Sequence, residues 1–502
     1  MKSKSIVATT IFVVLLYSLT IAQEVRIEPN TKITIESGTT MDITTGNLVL
    51  ESDVNGDVSL IVLGAVEINS SGKTNAERYL LGLAQAWHML GAPVSGMAIS
   101  GSVFAPGDND DFYAWYEPSP GTWINYKIDD PPQSILFAST EVNNGDNLLA
   151  GKGYLIAYNS ENPTKTFSGD LNTGNVTFNL KNSGSKSWTY NSGWNLISNP
   201  YSSPIDWNTA TLTQFQDNYA YVYDPNKSGG GGYVQVNGGN ANAYIGPNQG
   251  FFVLATTAAN NQDFTFTNAL QTHGGGNYLK SSNTENTLVL RLSSQNYYDE
   301  TTIALSEESS FNRDRQDALK LYSFNSSVPQ LYCISQDDIN LAVNSIPDMT
   351  AEKPIPLGIR IPEAESYIIS IQNNTNDFAS NILYLEDKVL NKLHKISEED
   401  YEFTSPQGDI DNRFVLHFGI TDVSDYDETG MLNIWAYNNQ LNIISEIGEA
   451  QLEIFDIQGR LMSSKTITVN GKYSETLNLR PGVYIVRLQN SNIIKSKQII
   501  IN

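Results

Sequence analysis

One cysteine, Cys333, occurs in 502 residues. No disulfide can therefore form within the chain, and stability must come from packing alone. Positive charge is also scarce. Lys and Arg number 30 against 54 Asp and Glu, a formal charge of −24, which leaves no basic surface to track phosphates. Nucleic acid is not an expected partner. Four histidines, His88, His273, His394 and His417, form no H-E-x-x-H pair; no G-x-S-x-G turn occurs, and the glycines at 229–232 lack the Lys-Ser or Lys-Thr of a phosphate loop. The expectation is a chain that is not an enzyme and needs no cofactor. Cys333 reads as a small core residue rather than a nucleophile.

Past the first two dozen residues, long apolar runs and helical stripes are absent too. What is present is short period-two alternation between Gly, Asn, Ser and Asp turns, which predicts an all-β, multidomain chain. The opening "MKSKSIVATTIFVVLLYSLTIAQ" pairs two lysines with an apolar stretch and small residues, as a signal peptide over 1–22 cut between Ala22 and Gln23 would. In residues 23–72 the pairs Val25/Ile27, Ile33/Ile35, Met41/Ile43 and Val66/Ile68 recur between close-set turns. A few coils of a parallel β-helix fit, with a small meander as the alternative.

The stretches "AWHMLGAPVSGMAI" and "GWNLISNPYSSPIDW" echo one another. Trp87 and Trp194 lie 107 positions apart, as do Pro93 and Pro200, Ser95 and Ser202, and Asp110 and Asp217. Tyr116 with Tyr223 and Pro118 with Pro225 extend that register, and Gly153 of "GKGYLIA" matches Gly250 of "NQGFFVLA". Two sandwich-like β-domains are expected, over 73–180 and 181–278. Trp87 and Trp194 read as core anchors. The segments "YAWYEPSPGTW" and "YVYDPNKSGGGGY" are expected as exposed loops whose Trp115, Tyr116, Trp123, Tyr221, Tyr223 and Tyr233 offer a flat contact face; paired strand residues would look similar. Asp108, Asp110 and Asp111 in "GDNDDF" are a calcium candidate, although Asx turns explain the same spelling. Residues 279–421 predict a larger β-sandwich, 422–430 an acidic linker, and 431–502 a compact unit of their own.

That last unit holds "FDIQGRLM" with Gly459 and Arg460, "LRPGVYIVRL" with Pro481, Gly482, Val483 and Tyr484, and a closing segment with Lys495 and Lys497. It resembles the type A C-terminal sorting domain of cargo for the Bacteroidetes type IX secretion system. The resemblance implies a seven-strand-type sandwich, contact with the secretion machinery, and passage through the periplasm and across the outer membrane. The product would then be released or tethered at the surface. The expected function is a non-catalytic, adhesin-like protein that binds glycan, polymer or a cell surface. A secreted hydrolase acting on polysaccharide or protein is the alternative, since facing carboxylates are not visible in a sequence.

Overall fold

In the computed structural model the alternation of the first region becomes three stacks of parallel strands. The structure describes residues 24–501 apart from 70, 83, 119–120, 128–135, 160–163, 185–191, 240–242, 275–285, 351–352, 391, 419–431, 438 and 492–493. The signal peptide over 1–22, its cut between Ala22 and Gln23, and the linker 422–430 lie outside the described residues.

Val25–Ile27 pairs in parallel with Leu48–Leu50, which pairs in parallel with Thr74–Tyr79. Lys32–Ile35 stacks on Ser59–Val62, and Thr40–Ile43 on Ala65–Ile68. This is a short β-helix. Its inward rows set Ile27 over Leu50, Ile35 over Val62 and Ile43 over Ile68, so each rung covers the apolar face of the next. The last rung does not end the unit. Thr74–Tyr79 also pairs antiparallel with Thr164–Leu171, and one core runs from Ile27 to Phe167. β-helix and first repeat are thus welded through a shared sheet.

Each repeat carries one four-stranded sheet. In the first the order is His88–Leu90, Tyr154–Ala157, Asp111–Tyr116, Thr122–Asn125; in the second it is Trp194–Ser198, Gly250–Leu254, Tyr219–Asp224, Gly232–Asn237. Register agrees as well as order. Met89 faces Leu155 and Leu90 faces Tyr154, while Leu196 faces Phe252 and Ile197 faces Phe251.

The ungapped 107-residue spacing fails, however, at the next strand. Tyr113 stands opposite Leu155 and Tyr221 opposite Phe252; Trp115 pairs with Trp123 and Tyr223 with Tyr233. Trp115 therefore corresponds to Tyr223, and Tyr116 to Asp224, not to Tyr223. The reason lies in the pleat: a one-residue offset sends every side chain to the opposite face, so an extra residue ahead of the strand restores the aromatic row.

From Thr287 to Phe418 eleven strands form one continuous sheet curled around a single core. Nearly every pairing is antiparallel; Tyr298–Leu305 against Asn340–Ile346 is parallel. Cys333 sits in this core, fully buried, accepting from the Thr301 hydroxyl, with burial pushing its thiol up to about 12. Asp387 and Arg413 form a buried ion pair at 2.7 Å that the Tyr401 hydroxyl completes at 3.0 Å.

The C-terminal unit has five strands. Two are long, Gln440–Asp456 and Leu461–Thr476, and their ladder shifts register between Ser445 and Gly448. With Leu432–Tyr437, Gly482–Gln489 and Ile494–Ile501 they form one five-stranded sheet around a core of its own.

Candidate functional site

The aromatic row on which the sequence suggests a ligand face lies where three parts of the molecule meet. It occupies strands, not loop tips. In Asp111–Tyr116 alternation puts Phe112 and Ala114 into the first repeat's own core, leaving Tyr113 and Trp115 on the other face. In Tyr219–Asp224, Ala220 and Val222 face the second core, while Tyr219, Tyr221 and Tyr223 face outward from it. Neither outer face is open: Tyr219, Tyr221 and Tyr223 are buried, and Tyr113 and Trp115 are partly buried. They cover each other, and Phe324 from the large sheet's domain closes the gap.

The rings meet mostly edge to face, the arrangement their quadrupoles favour. Trp115 lies 5.0 Å from Trp123 and 5.2 Å from Phe252; Trp194 lies 5.1 Å from Tyr221. Phe324 stands 4.7 Å from Tyr223, 5.9 Å from Tyr233, 6.0 Å from Trp123 and 5.9 Å from Trp87. The Trp115 indole N–H donates to the carbonyl of Trp194 at 2.7 Å, tying the repeats by a polar bond inside an apolar seam. Exposure of Tyr221, Tyr223 and Tyr233 is 0%, 3% and 7%. The expectation of exposed aromatic loops is therefore corrected. Trp115 and Trp123 are partly buried in the same cluster. Tyr116 points to the opposite face, packs against the first core and donates its hydroxyl to Glu141 at 2.9 Å.

The repeats meet reciprocally. Leu90 bridges Gln249 and, at the equivalent place, Ile197 bridges Lys152. Gly91 N donates to Asn248 O at 2.9 Å, and Ser198 N donates to Gly151 O at 2.9 Å. Such exchange of like contacts marks a pseudo-two-fold axis. It also accounts for the shared glycines: a Cβ on Gly153 would lie 2.7 Å from Ile197 O, and one on Gly250 would lie 2.8 Å from Leu90 N.

Sequence reasoning missed the third participant. Arg313, in "NRDRQD", is fully buried against Asp217 at 3.1 Å and donates to Gln216 O, while Tyr221 donates to Asp217 at 2.9 Å. Arg315 bonds Phe215 O, Leu212 O and Asn218. Two arginines in a charge-poor chain were the available signal, but nothing in their spacing names a partner a hundred residues away. Beside the seam, His88 lines a crevice with Arg78, Pro225 and Gln249. Burial and the Arg78 charge pull its imidazole down to about 3, so it is neutral at ordinary pH. Lys152 was also missed: burial alone lowers its amine to about 8.

The calcium candidates are not brought together. Asp110 accepts from the amides of Gly107 and Asn159, Asp111 accepts from the Tyr113 hydroxyl, and Asp108 offers its backbone carbonyl to Lys127. The Gly107 bond closes a turn and those with Asn159 and Lys127 reach to neighbouring segments, and among the described residues no three His, Cys, Asp or Glu side chains are gathered to hold a metal.

In the C-terminal unit Gly459, Arg460, Pro481, Gly482 and Tyr484 gather at one end, where Asp456 pairs with Tyr484, and the two lysines lie farther along the last strand. Gly459 takes φ 77° in a tight turn where Asp456 accepts from the amides of Gln458 and Arg460 and from the Arg460 guanidinium at 2.6 Å. Tyr484 anchors the Pro481–Gly482 corner by donating to Arg480 O at 2.9 Å. Lys495 and Lys497 sit on the last strand opposite Leu488 and Val486. Beside them Val483, Ile485 and Ile500 stay exposed, at 36%, 38% and 59%.

Comparison with known proteins bears on both parts. No curated protein matches the sequence. Among solved structures, one described as "Biofilm associated protein - BSP domain" aligns over 85% of this chain and 92% of its own at 10% identity, with a TM-score of 0.16. "Sidekick-1 immunoglobulin domains 1-5" aligns over 87% and 82% at 8% identity, with a TM-score of 0.11. Likenesses this slight carry no argument. Residues 437–502 match the family model described as "Secretion system C-terminal sorting domain". The chain is thus type IX secretion cargo that engages that machinery and is exported across the outer membrane to the cell surface or the medium. Matched over residues 2–216 and again over 207–418, it belongs to the family described as "Domain of unknown function (DUF8693)".

Proposed function

We propose that the exported protein is a non-catalytic architectural element of the cell surface or its surroundings, in which β-helix, paired repeats and large sheet act as one stiff body. The observation that carries this reading is the aromatic seam. A ligand platform must keep its rings open to a sugar or polymer, whereas here Tyr221, Tyr223 and Tyr233 are spent on holding three units together. An adhesin-like role through these residues loses its platform, and adhesion by this body would use other surfaces.

The hydrolase reading gains no support from the buried acids. Among the described residues, buried Glu117 accepts from the amides of Ser183 and Gly193 and buried Asp317 from those of Asp314 and Ser345, while Asp217, Asp299, Asp387 and Glu386 are each held by a cation, respectively Arg313, Lys320, Arg413 and Lys472. Carboxylates so neutralised are structural, not poised to trade protons with a substrate.

The test is a glycan and polymer array probed with the full mature chain, in parallel with Trp115→Ala and Tyr223→Ala. The expected result is no binding that depends on either ring. Binding lost in a variant that keeps its β-sheet spectrum would overturn the proposal.

A further inference from the structure

The large sheet has a second covered face, and its cover is the sorting domain. In Leu383–Asp387, Leu383 and Leu385 point into the core, so alternation turns Glu386 outward. The neighbouring strand Gly408–Phe418 repeats the pattern: Phe414, Leu416 and Phe418 are in the core, which turns Val415 and His417 outward. Outward residues of a half-solvated sheet should be wet. These are not: Glu386, Val415 and His417 are 3%, 4% and 7% exposed.

What shields Glu386 and His417 comes from the C-terminal unit. Lys472, on the strand Leu461–Thr476, donates to Glu386 Oε1 at 2.7 Å. His417 Nε2 holds Glu386 Oε2 at 2.9 Å, and the Trp435 ring lies 6.1 Å from the His417 ring. The same tail strand lies alongside the large sheet's edge strand Lys392–His394. One carboxylate is thus shared between a histidine of its own sheet and a lysine of the sorting domain. Burial would raise the carboxyl's pKa, but the hydrogen bonds from His417 and Lys472 outweigh it and hold the group down at about 2.

We propose that Glu386, His417 and Val415 form a docking surface for the protein's own sorting domain, with Lys472 as the group that seats it. The sorting domain is then carried in a fixed orientation on the large sheet instead of swinging on a tether. The orientation suits its task. Docking uses Leu461–Thr476 and leaves the strands Gly482–Gln489 and Ile494–Ile501, with exposed Val483, Ile485 and Ile500, open to a partner. It also gives the attachment a largely polar character: a sorting domain that leaves uncovers an acid, a histidine and a single valine.

The experiment places spin labels at Val389→Cys and Gln458→Cys of the full chain, both exposed sites in the two units, with native Cys333 fully buried and out of reach. Distances are measured by double electron–electron resonance. A narrow distribution is expected, broadened by Lys472→Ala and separately by Glu386→Gln, with about a tenfold fall in the ratio of docked to free forms, as loss of a charged hydrogen bond implies. Each variant's β-sheet spectrum should match the parent. A broad distribution before either substitution, or a narrow one that survives both, would overturn the proposal.

Discussion

Two junctions hold this molecule together, and they are made of opposite materials. The seam of the repeats and the large sheet is chiefly aromatic, with the buried Arg313–Asp217 pair beside it, and between the two repeats it is reciprocal and closed by glycines pressed against backbone. The junction between large sheet and sorting domain is a carboxylate shared by a histidine and a lysine. Apolar burial is non-directional and is not screened by salt, while exposed charged contacts are weakened by ions. The difference fits one junction to last and the other to part. The most forceful way to break the contrast is to deny the seam its close approach. Gly153→Val or Gly250→Val would drive a Cβ into Ile197 O or Leu90 N, so a loss of about 3 kcal/mol is expected from overpacking. Chemical denaturation would show it as a lowered midpoint for the repeats, with the sorting domain's own spectrum unchanged.

Removing Phe324 opens the seam without a clash. The ring touches Trp87, Trp123, Tyr223 and Tyr233, and because it is only partly buried, Phe324→Ala is expected to cost about 2 kcal/mol, below the range for a fully buried ring. Tryptophan fluorescence should move to the red as Trp87 and Trp123 gain water. The ionic junction should not respond.

Acidity separates the junctions by sign. Glu386 is held at about 2, below its ordinary 4.5; the unfolded chain takes up that proton first, so the stability it lends is whole above pH 4.5 and is lost as pH falls toward 2. Asp317, in the segment that follows Arg313 and Arg315, is raised by burial from 3.8 to about 7. There the folded state keeps the proton, so its contribution is largest below pH 3.8 and is lost as pH rises through 7. Comparing the parent with Asp317→Asn and with Glu386→Gln between pH 3 and 8 should therefore give difference curves of opposite slope. Parallel curves would show that the two sites are not distinct in this way.

Much of the fold was legible because it is local. Period-two runs placed the strands, and the pairs Val25/Ile27, Ile33/Ile35 and Met41/Ile43 pointed to a β-helix without separating it from a small meander, since only the stacking of one rung on the next tells the two apart. The terminal sorting unit was legible because a fixed order of turns and strands identifies it. The seam was not. Trp115 and Tyr223 carry the same letters whether they meet a sugar or each other, and the fact that decides it, Phe324 arriving from over 90 residues beyond Tyr233, is a long-range contact that no window of sequence contains. The one-residue slip that makes Trp115 equivalent to Tyr223 was hidden for a related reason: identity favours the ungapped match, whereas the pleat enforces which face a side chain occupies.

The smallest test asks whether the bond between Trp115 and Trp194 sets the alignment of the two repeats. Trp115 donates its indole N–H to Trp194 O across the repeats at 2.7 Å, and the acceptor belongs to the first residue of the strand Trp194–Ser198. Trp115→Phe keeps an aromatic ring against Trp123 and Phe252 while removing the donor. Because the carbonyl is left without this partner in a poorly hydrated place, the expected loss is about 1 kcal/mol, chiefly the cost of the unmade bond. Amide exchange should quicken most at the start of Trp194–Ser198 and little elsewhere. Equal quickening along the whole strand would mean that the ring's bulk, and not its N–H, holds the two repeats in register.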